Sequence, residues 1–262
     1  MNFKTALLTT AAVSMMACAA NAKDFTGSLF LPSKGEVLSN TSIDYSRTKW
    51  EYRGWSDVEK DLTASEELTY GVTDNFSIYG GILNAFNFDR VTNREYNNEH
   101  NFAYELGAKY NYNFGNVLTQ VGVGYYTLKP ATWVGHRWTN NEWYKEIDGE
   151  AQIGYDLGNG LVPYARFDVS SVIDDKDRDM DYGIFAGVHK TCDKVALDGG
   201  VLYHFVTDQG PTYDEWRLRA EVNYFVTDKV AVGVHGDYYL GGDDHKYIDY
   251  DYSFGAQLKV LF

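Results

Sequence analysis

The sequence predicts an all-β chain folded as an antiparallel up-and-down β-barrel. Apolar and polar residues alternate over many short stretches, and alternation is the pattern of a strand with two unlike faces. Short turn signals recur at regular intervals between these stretches, with longer polar connections elsewhere. The 262-residue chain holds 22 Tyr and 25 Gly but only 4 Pro, a composition that suits strands and tight bends.

The first residues are typical of a secretory signal peptide, which we predict to span residues 1–22. A basic residue precedes a run of small and apolar residues, and Ala20-Asn21-Ala22 matches an A-x-A cleavage site. A second interpretation, lipidation of Cys18 after a loose lipobox, stays open. The predicted barrel domain, residues 23–262, then contains one cysteine, Cys192, and hence no intramolecular disulfide.

Five short turns and six longer connections join twelve predicted strands, and a count of about ten to fourteen stays open. The short turns lie at 73–75, 115–116, 158–160, 191–194 and 227–229, and the longer connections at 50–58, 88–100, 130–141, 174–179, 207–213 and 241–246. Short turns at one end and longer loops at the other predict that both termini lie at the short-turn end.

Several strands alternate without interruption, and one does not. The stretches 102–114, 195–205, 216–226 and 250–262 each place apolar residues at every second position. In the second strand, Glu66 lies on the apolar face between Ala64 and Leu68. This position predicts either a local bulge or an error in the assigned register.

Alternation alone does not say which face points inward, so a soluble lipocalin-like barrel stays an alternative. Three observations favour a transmembrane barrel: a terminal Phe262, aromatic residues at strand ends, and glycines on the polar face, where a soluble exterior would carry larger polar side chains. The aromatic set is Tyr70, Phe76, Tyr112, Phe114, Tyr155 and Tyr224, and the glycines include Gly107, Gly122, Gly124, Gly154 and Gly233.

The end of the chain resembles a known signal. A strand with Tyr252 and Phe254 on its apolar face and Phe262 at its end is similar to the assembly signal of Gram-negative outer-membrane β-barrels. The resemblance covers nearly the whole chain after residue 22. It implies residence in the cell outer membrane, with membrane lipids and the barrel-assembly machinery as partners. It does not imply a particular function, because this fold supports many.

The inward-facing charges are the first candidate for function. This face carries more acids than bases, which predicts a porin-like channel for small polar, cation-preferring solutes. The alternative is a non-conducting structural or surface-binding barrel braced by its own ion pairs. Across one turn, Arg219 should face Asp237, and Glu221 should face His235. The predicted pore lining is Glu105, Lys109, Glu146, Asp148, Glu150, Arg166, Asp168, Asp198, His204, Arg217, Arg219, Glu221, His235, Asp237, Asp249 and Asp251.

The tryptophans are the second candidate. All six lie in or beside predicted outer loops, where we expect an interfacial belt, with stacking platforms for an external ligand such as a sugar as the alternative. They are Trp50, Trp55, Trp133, Trp138, Trp143 and Trp216.

Other chemistry is weakly represented, so we predict no enzyme, no cofactor and no metal site. Acids alternate from Asp175 to Asp181, but Met180 stands where a calcium loop requires Gly. Asp243-Asp244-His245 matches a barrel hydrolase only loosely, and a hydrolase stays the third alternative. The net charge of −14 argues against nucleic acid as a partner. The solute and the oligomeric state stay open.

Overall fold

The computed structural model describes residues 24–52, 55–88, 98–134, 137–140, 143–173, 180–207, 213–242 and 248–262. Within them the strands are β1 (Val37–Tyr52), β2 (Trp55–Gly71), β3 (Phe76–Phe88), β4 (Asn98–Asn111), β5 (Val117–Val134), β6 (Arg137–Asn140), β7 (Tyr144–Tyr155), β8 (Leu161–Val172), β9 (Met180–Cys192), β10 (Val195–Thr207), β11 (Tyr213–Thr227), β12 (Val230–Gly242) and β13 (Ile248–Leu261). No helix among the described residues is long and apolar enough to cross a membrane.

Twelve of these strands form a closed antiparallel barrel. Consecutive strands pair around the ring, β5 passes directly to β7, and β1 pairs with β13 to close it. The short strand β6 forms a hairpin with the last residues of β5 and takes no part in the closure. Closure leaves no unpaired strand edge, which lipid would not tolerate. The predicted twelve-stranded antiparallel barrel is confirmed.

Five short connections join the strands at one end, as predicted. They are residues 72–75, 112–116, 156–160, 193–194 and 228–229. Gly115, Gly158 and Gly160 have φ values of 60°, 78° and 72°, and Asp193 has a φ of 47°. These turns need the left-handed region, which Gly adopts without a steric penalty and which Asp tolerates better than most residues.

The apolar face of the strands points outward. Leu106 and Val234 are each 59% exposed, whereas Ala103 and Asn223 on the other face are 0% and 1% exposed. An apolar exterior around a polar interior reverses the arrangement of a soluble barrel and is the arrangement that lipid requires. The transmembrane interpretation is therefore confirmed over the soluble alternative.

Glu66 stays on the outward face without a bulge. The register between β1 and β2 runs unbroken from Val37 opposite Tyr70 to Tyr52 opposite Trp55. The Glu66 carboxylate accepts hydrogen bonds from the hydroxyls of Ser39, at 2.7 Å, and Thr41 on the neighbouring strand. Satisfied hydrogen bonds lower the cost of a polar group among apolar neighbours, so neither of the two sequence-based explanations is needed.

The strands extend further toward the long-loop end than the sequence predicts. β1 and β2 have 16 and 17 residues, although about 9–11 residues are enough to span a bilayer. Much of the loop predicted at 130–141 is the β5–β6 hairpin. Five tryptophans therefore lie in strands rather than loops: Trp50 in β1, Trp55 in β2, Trp133 in β5, Trp138 in β6 and Trp216 in β11.

Phe262 completes the last strand and supports a prediction about assembly. Its backbone N–H donates to the Val37 carbonyl at 2.8 Å, and its ring is 65% exposed on the outer face. Deleting Phe262 should lower the yield of folded barrel in the outer membrane, because the final strand loses an aromatic residue and two backbone hydrogen bonds to Val37 of β1. The yield is measured by heat-modifiable gel mobility, with Phe262→Tyr as the control. A deletion that assembles at the full level would contradict this role.

Candidate functional site

The barrel interior at the short-turn end is filled by the segment that precedes β1. We call residues 24–34 the plug segment. Phe25 is 1% exposed and packs edge-to-face on Phe225 with 5.4 Å between the ring centroids. Ala196, Ala231 and Leu261 complete its pocket, and each lies beside a short turn or the chain end. The apolar core of this protein therefore lies inside the barrel and depends on the plug segment.

Asp24 is held by two residues of β9. Its carboxylate contacts His189 Nε2 and accepts a hydrogen bond from the hydroxyl of Thr191. The other ring nitrogen of His189, Nδ1, lies 3.1 Å from Asp198 on β10, and Tyr164 donates to Asp198 at 2.7 Å. An imidazole between two carboxylates suits the doubly protonated, cationic form. The chain of contacts fixes the plug segment to the wall and uses both ring nitrogens.

Further contacts follow the plug segment along the wall. Lys259 donates to the Thr26 carbonyl at 3.2 Å, and Asn111 donates to the Leu29 carbonyl at 3.0 Å. Gly154 makes room for Leu29, because a Cβ at Gly154 would lie 2.7 Å from Leu29 Cδ1. The wall is thus shaped and charged to receive this segment, including its backbone carbonyls.

Among the cavities bordered by the described residues of the lumen, two with charged linings have volumes of about 360 and 620 Å³. Thr26 and Ser28 of the plug segment line the larger cavity. Arg166 and Arg219 line both cavities and therefore stand where the two meet. Both cavities are therefore lined by charged residues, and the two arginines border them both.

A charge network covers the wall formed by β11–β13. Arg217 donates from Nε to Glu215 at 2.8 Å, from Nη1 to Asp237 at 3.0 Å, and from Nη2 to Asp251. Arg219 Nε donates to Asp237 at 2.7 Å, so the predicted pairing across the turn is present. Charge-assisted hydrogen bonds are stronger than hydrogen bonds between neutral groups, so this network holds the side chains of the wall in fixed positions.

Glu221 and His235 face each other in register, as predicted, but bond to other residues. Glu221 pairs with Lys259 of β13 at 2.7 Å, and His235 Nε2 contacts Asp44 of β1. Long side chains reach diagonally to the next strand, so facing positions do not fix the partner. The first pair joins β11 to β13, and the second joins β12 to β1.

Acids dominate the part of the wall formed by β4, β5 and β7. Glu105, Asp148 and Glu150 line the smaller cavity, and Lys109 lies 3.2 Å from Glu150. Gly124 lies between them, because a Cβ there would be 2.6 Å from the Tyr79 hydroxyl and 3.2 Å from Glu105 Oε1. The glycine lets the acidic side chains lie close to the backbone, which leaves the cavity open.

The structure gathers most of the predicted lining around these cavities. Glu105, Lys109, Asp148, Glu150, Arg166, Asp168, His204 and Arg219 surround the smaller, and Arg166, Asp198, Arg217, Arg219, Glu221, His235 and Asp237 surround the larger. Glu146 shares the face of Asp148, and Asp251 bonds to Arg217. Asp249 is not among the residues that line these two cavities. It lies beside a shift in the register between β1 and β13, its side chain is 46% exposed, and its carboxylate lies 2.7 Å from the Lys49 ammonium.

Some predicted features lie outside the described residues. These are the signal peptide with Cys18, residues 174–179 of the acidic stretch, and Asp243-Asp244-His245. Asp181, the last acid of that stretch, lies in β9 and lines the smaller cavity.

The ring contacts of Trp216 and Trp143 fit a belt. Trp216 is 47% exposed on the outer face of β11, with its ring 4.6 Å from that of Tyr203. Trp143 is 41% exposed, lies 5.9 Å from the Tyr104 ring, and has the Lys129 ammonium 5.3 Å from its own centroid. These contacts favour packing at the membrane boundary, and a ligand platform stays a prediction.

The sequence-based prediction missed Tyr79 and the plug segment. Tyr79 is 9% exposed, lies over Gly107 and Gly124, and has the Lys109 ammonium 5.0 Å from its ring. The apolar residues of the plug segment, Phe25 and Leu29 among them, precede β1 without alternation. Apolar residues that fit no strand were the available signal that this segment is buried inside the barrel.

Comparisons with known proteins support the fold. No protein-family profile matches the chain, and no curated protein matches its sequence. The fold is similar to an outer-membrane channel from Pseudomonas putida F1, with a TM-score of 0.65, 16% identity, and coverage of 92% of this chain and 99% of that one. It is also similar to the translocator domain of the autotransporter NalP from Neisseria meningitidis, with a TM-score of 0.58, 11% identity, and coverage of 99% of this chain and 97% of that one. The transport unit of the autotransporter AIDA-I from Escherichia coli matches with a TM-score of 0.54, 12% identity, and coverage of 97% of each chain.

At these identities the likeness concerns the fold, and that fold is the one found in outer-membrane β-barrels of Gram-negative bacteria. The class predicted from the strand pattern and the terminal Phe262 is therefore confirmed, together with the outer membrane as its location.

The pocket of Phe25 leads to a prediction about the plug segment. Replacing a buried Phe by Ala costs about 3–5 kcal/mol. Phe25→Ala should therefore speed hydrogen exchange of the amides of residues 24–31 by at least about tenfold, since about 1.4 kcal/mol corresponds to a factor of ten. Mass spectrometry of the refolded barrel measures it. Phe114→Ala, at a ring 59% exposed on the outer face, is the control and should change nothing. Unchanged exchange in Phe25→Ala would contradict the anchoring role.

Asp24 gives the same segment a pH dependence. Burial by itself would raise the pKa of Asp24, but the hydrogen bond and charge of His189, with bonds from Thr191 and Thr26, hold it well below the usual range. Because its pKa is lowered, the ionised Asp24 carboxylate stabilises the docked plug segment at pH values above about 4, the ordinary pKa of Asp. This contribution is lost as the pH falls through the lowered pKa of Asp24.

Hydrogen exchange of residues 24–31, corrected for its intrinsic pH dependence, should therefore stay slow from neutral pH down to about 4 and rise only in stronger acid. Asp24→Asn should exchange faster already at neutral pH. Exchange in the Asn variant that follows the native curve would show that the charge of Asp24 does not hold the segment.

Proposed function

We propose that this barrel is a porin-like channel for small polar solutes, with a preference for cations. The observation that carries the proposal is the pair of charged cavities, of about 360 and 620 Å³, that meet at Arg166 and Arg219 inside the lumen. Twelve strands enclose more space than eight, whose interior is filled by side chains, and less than the sixteen of a wide aqueous pore. A narrow charged passage suits small hydrated solutes.

The preference for cations follows from how the charges are paired. Arg217 is surrounded by three carboxylates, and Lys259 is paired with Glu221, so these bases contribute little free positive charge. Glu105, Asp148 and Glu150 have only Lys109 close to them among the ion pairs of the described residues. An excess of acids in a confined passage raises the local cation concentration and repels anions.

A second candidate is a barrel that does not conduct, and the plug segment favours it. Phe25 and Asp24 are firmly held at the short-turn end, where a solute would have to leave the lumen. Single-channel recordings of the full chain and of Phe25→Ala separate the two functions. A channel conducts in both forms, with larger openings in the variant. A barrel closed by its plug segment does not conduct in the native form, and conductance that appears only in Phe25→Ala would identify the plug segment as the cause.

Reversal potentials in a salt gradient test the ion preference. The native protein should favour K⁺ over Cl⁻, and the triple variant Glu105→Gln, Asp148→Asn, Glu150→Gln should lose most of that preference. Asp228→Asn, on an exposed turn outside the lumen, is the matched control. Raising the salt to 1 M, where the Debye length is about 3 Å, should weaken the native preference. Anion preference at neutral pH would contradict the proposed lumen charge.

A further inference from the structure

The smaller cavity carries opposite charges on different parts of its wall. β4 and β7 supply Glu105, Asp148 and Glu150 together with Lys109, whereas β8 and β11 supply Arg166 and Arg219 together with Asp168. Asp181 of β9 and His204 of β10 line the wall between β8 and β11. In the closed ring β4 and β11 are six strands apart, so Glu105 and Arg219 come from opposite sides of the twelve-stranded barrel. The cavity therefore presents carboxylates from β4 and β7 and, from β8 and β11, the guanidinium groups of two arginines.

The two arginines keep donors available for a solute. Arg166 pairs through Nε with Asp168 at 2.8 Å, and Arg219 pairs through Nε with Asp237 at 2.7 Å. Among the hydrogen bonds of the described residues, Arg166 and Arg219 donate through Nε, whereas Arg217 donates through Nε, Nη1 and Nη2. The terminal nitrogens of an arginine are the parallel donors that bind a carboxylate through two bonds.

Both arginine heads are also positioned. Asp168 and Asp237 fix each guanidinium by its Nε, and the Arg166 guanidinium lies 5.6 Å from the centroid of the Phe185 ring. Arg219 is 43% exposed within the lumen, which leaves its end accessible to a solute. A fixed donor pair loses little conformational entropy when it binds, so these side chains are suited to recognition rather than to bracing alone.

The acidic side offers a matching place for an ammonium group. Glu105 Oε1 and Asp148 Oδ2 converge on Gly124, lying 3.2 and 3.6 Å from where its Cβ would be. Because a glycine occupies that position, the carboxylates border the cavity instead of being separated by a side chain. The volume of about 360 Å³ is within the range of about 300–1,000 Å³ that holds small ligands.

From this arrangement we infer that the smaller cavity is a binding site for zwitterionic solutes of the amino-acid type. The solute ammonium lies against Glu105 and Asp148, and its carboxylate lies against the terminal nitrogens of Arg166 and Arg219. A solute with only one charge meets attraction at one wall and repulsion at the other. The inference rests on the proposed channel for its biological use, but binding itself does not require conduction.

The test uses three probes with the same carbon skeleton: 4-aminobutanoate, butyrate and butylammonium. Isothermal titration calorimetry of the full chain in detergent micelles measures binding at neutral pH. We expect 4-aminobutanoate to bind about tenfold more tightly than either singly charged probe, because each charged hydrogen-bonded pair adds at least that factor. Equal binding of butylammonium, or no binding of the zwitterion, would overturn the inference.

Variants separate recognition from folding. Arg166→Gln with Arg219→Gln should reduce zwitterion binding about tenfold, to the level of butylammonium. Arg219→Lys keeps the charge and should lose part of the affinity, because an ammonium cannot supply two parallel donors. Arg47→Gln, on the outer face beside the Tyr250 ring, is the matched control and should bind normally. Heat-modifiable mobility checks that each variant folds. Normal zwitterion binding by a folded double variant would also overturn the inference.

Conductance of the same samples keeps the two proposals apart. A barrel that conducts but does not prefer the zwitterion refutes the binding site and leaves the channel. A barrel that binds 4-aminobutanoate without conducting refutes the channel and leaves the binding site.

Discussion

The rest of the structure depends on the requirement that every backbone polar group in lipid finds a partner within the protein. An antiparallel sheet closed on itself meets it, with β1 bonded to β13 from Leu38 opposite Leu261 to Trp50 opposite Ile248. Closure makes one face of each strand external and the other internal. Alternate residues therefore need an apolar side chain toward lipid and a polar or small side chain toward the lumen. The charged interior follows from this geometry, because only the inward positions can carry charge cheaply.

The interior is divided by aromatic side chains that rest on glycines. Tyr79 lies so close to Gly107 that a Cβ there would be 2.3 Å from its ring, and Phe185 approaches Gly187 equally closely. Each ring fills space that neighbouring strands leave free, and together with the plug segment these rings divide the described part of the lumen into separate cavities. Glycines on the inward face are thus sites of ring packing as well as a mark of the barrel class.

The sequence predicts well those features that depend on local pattern. The short turns, the twelve strands and the pairing of Arg219 with Asp237 follow from alternation and turn residues a few positions apart. The outward apolar face follows only when Phe262, the aromatic strand ends and the inward glycines are added. Contacts between distant segments do not follow from local pattern. His235 bonds to Asp44, 191 residues away, only because the barrel closes.

The plug segment shows the same limit in a different way. It has no periodicity, since it belongs to neither a strand nor a helix, so its apolar residues signal burial without indicating which strands they contact. The outer strand ends were also underestimated, because the polar residues of β1 and β2 beyond the membrane resemble loop residues in composition. Strand pairing, rather than composition, decides where those strands end.

The pocket of Phe25 also has a consequence for the order of biogenesis. Phe25 stands near the start of the described chain, yet its neighbours Ala196, Phe225, Ala231 and Leu261 come from β10–β13, the last strands to be synthesised. The first segment therefore has no complete binding pocket until the C-terminal strand is in position. Insertion of the segment into the lumen is necessarily a late event, and a buried Phe25 marks a barrel whose final strand is already in place.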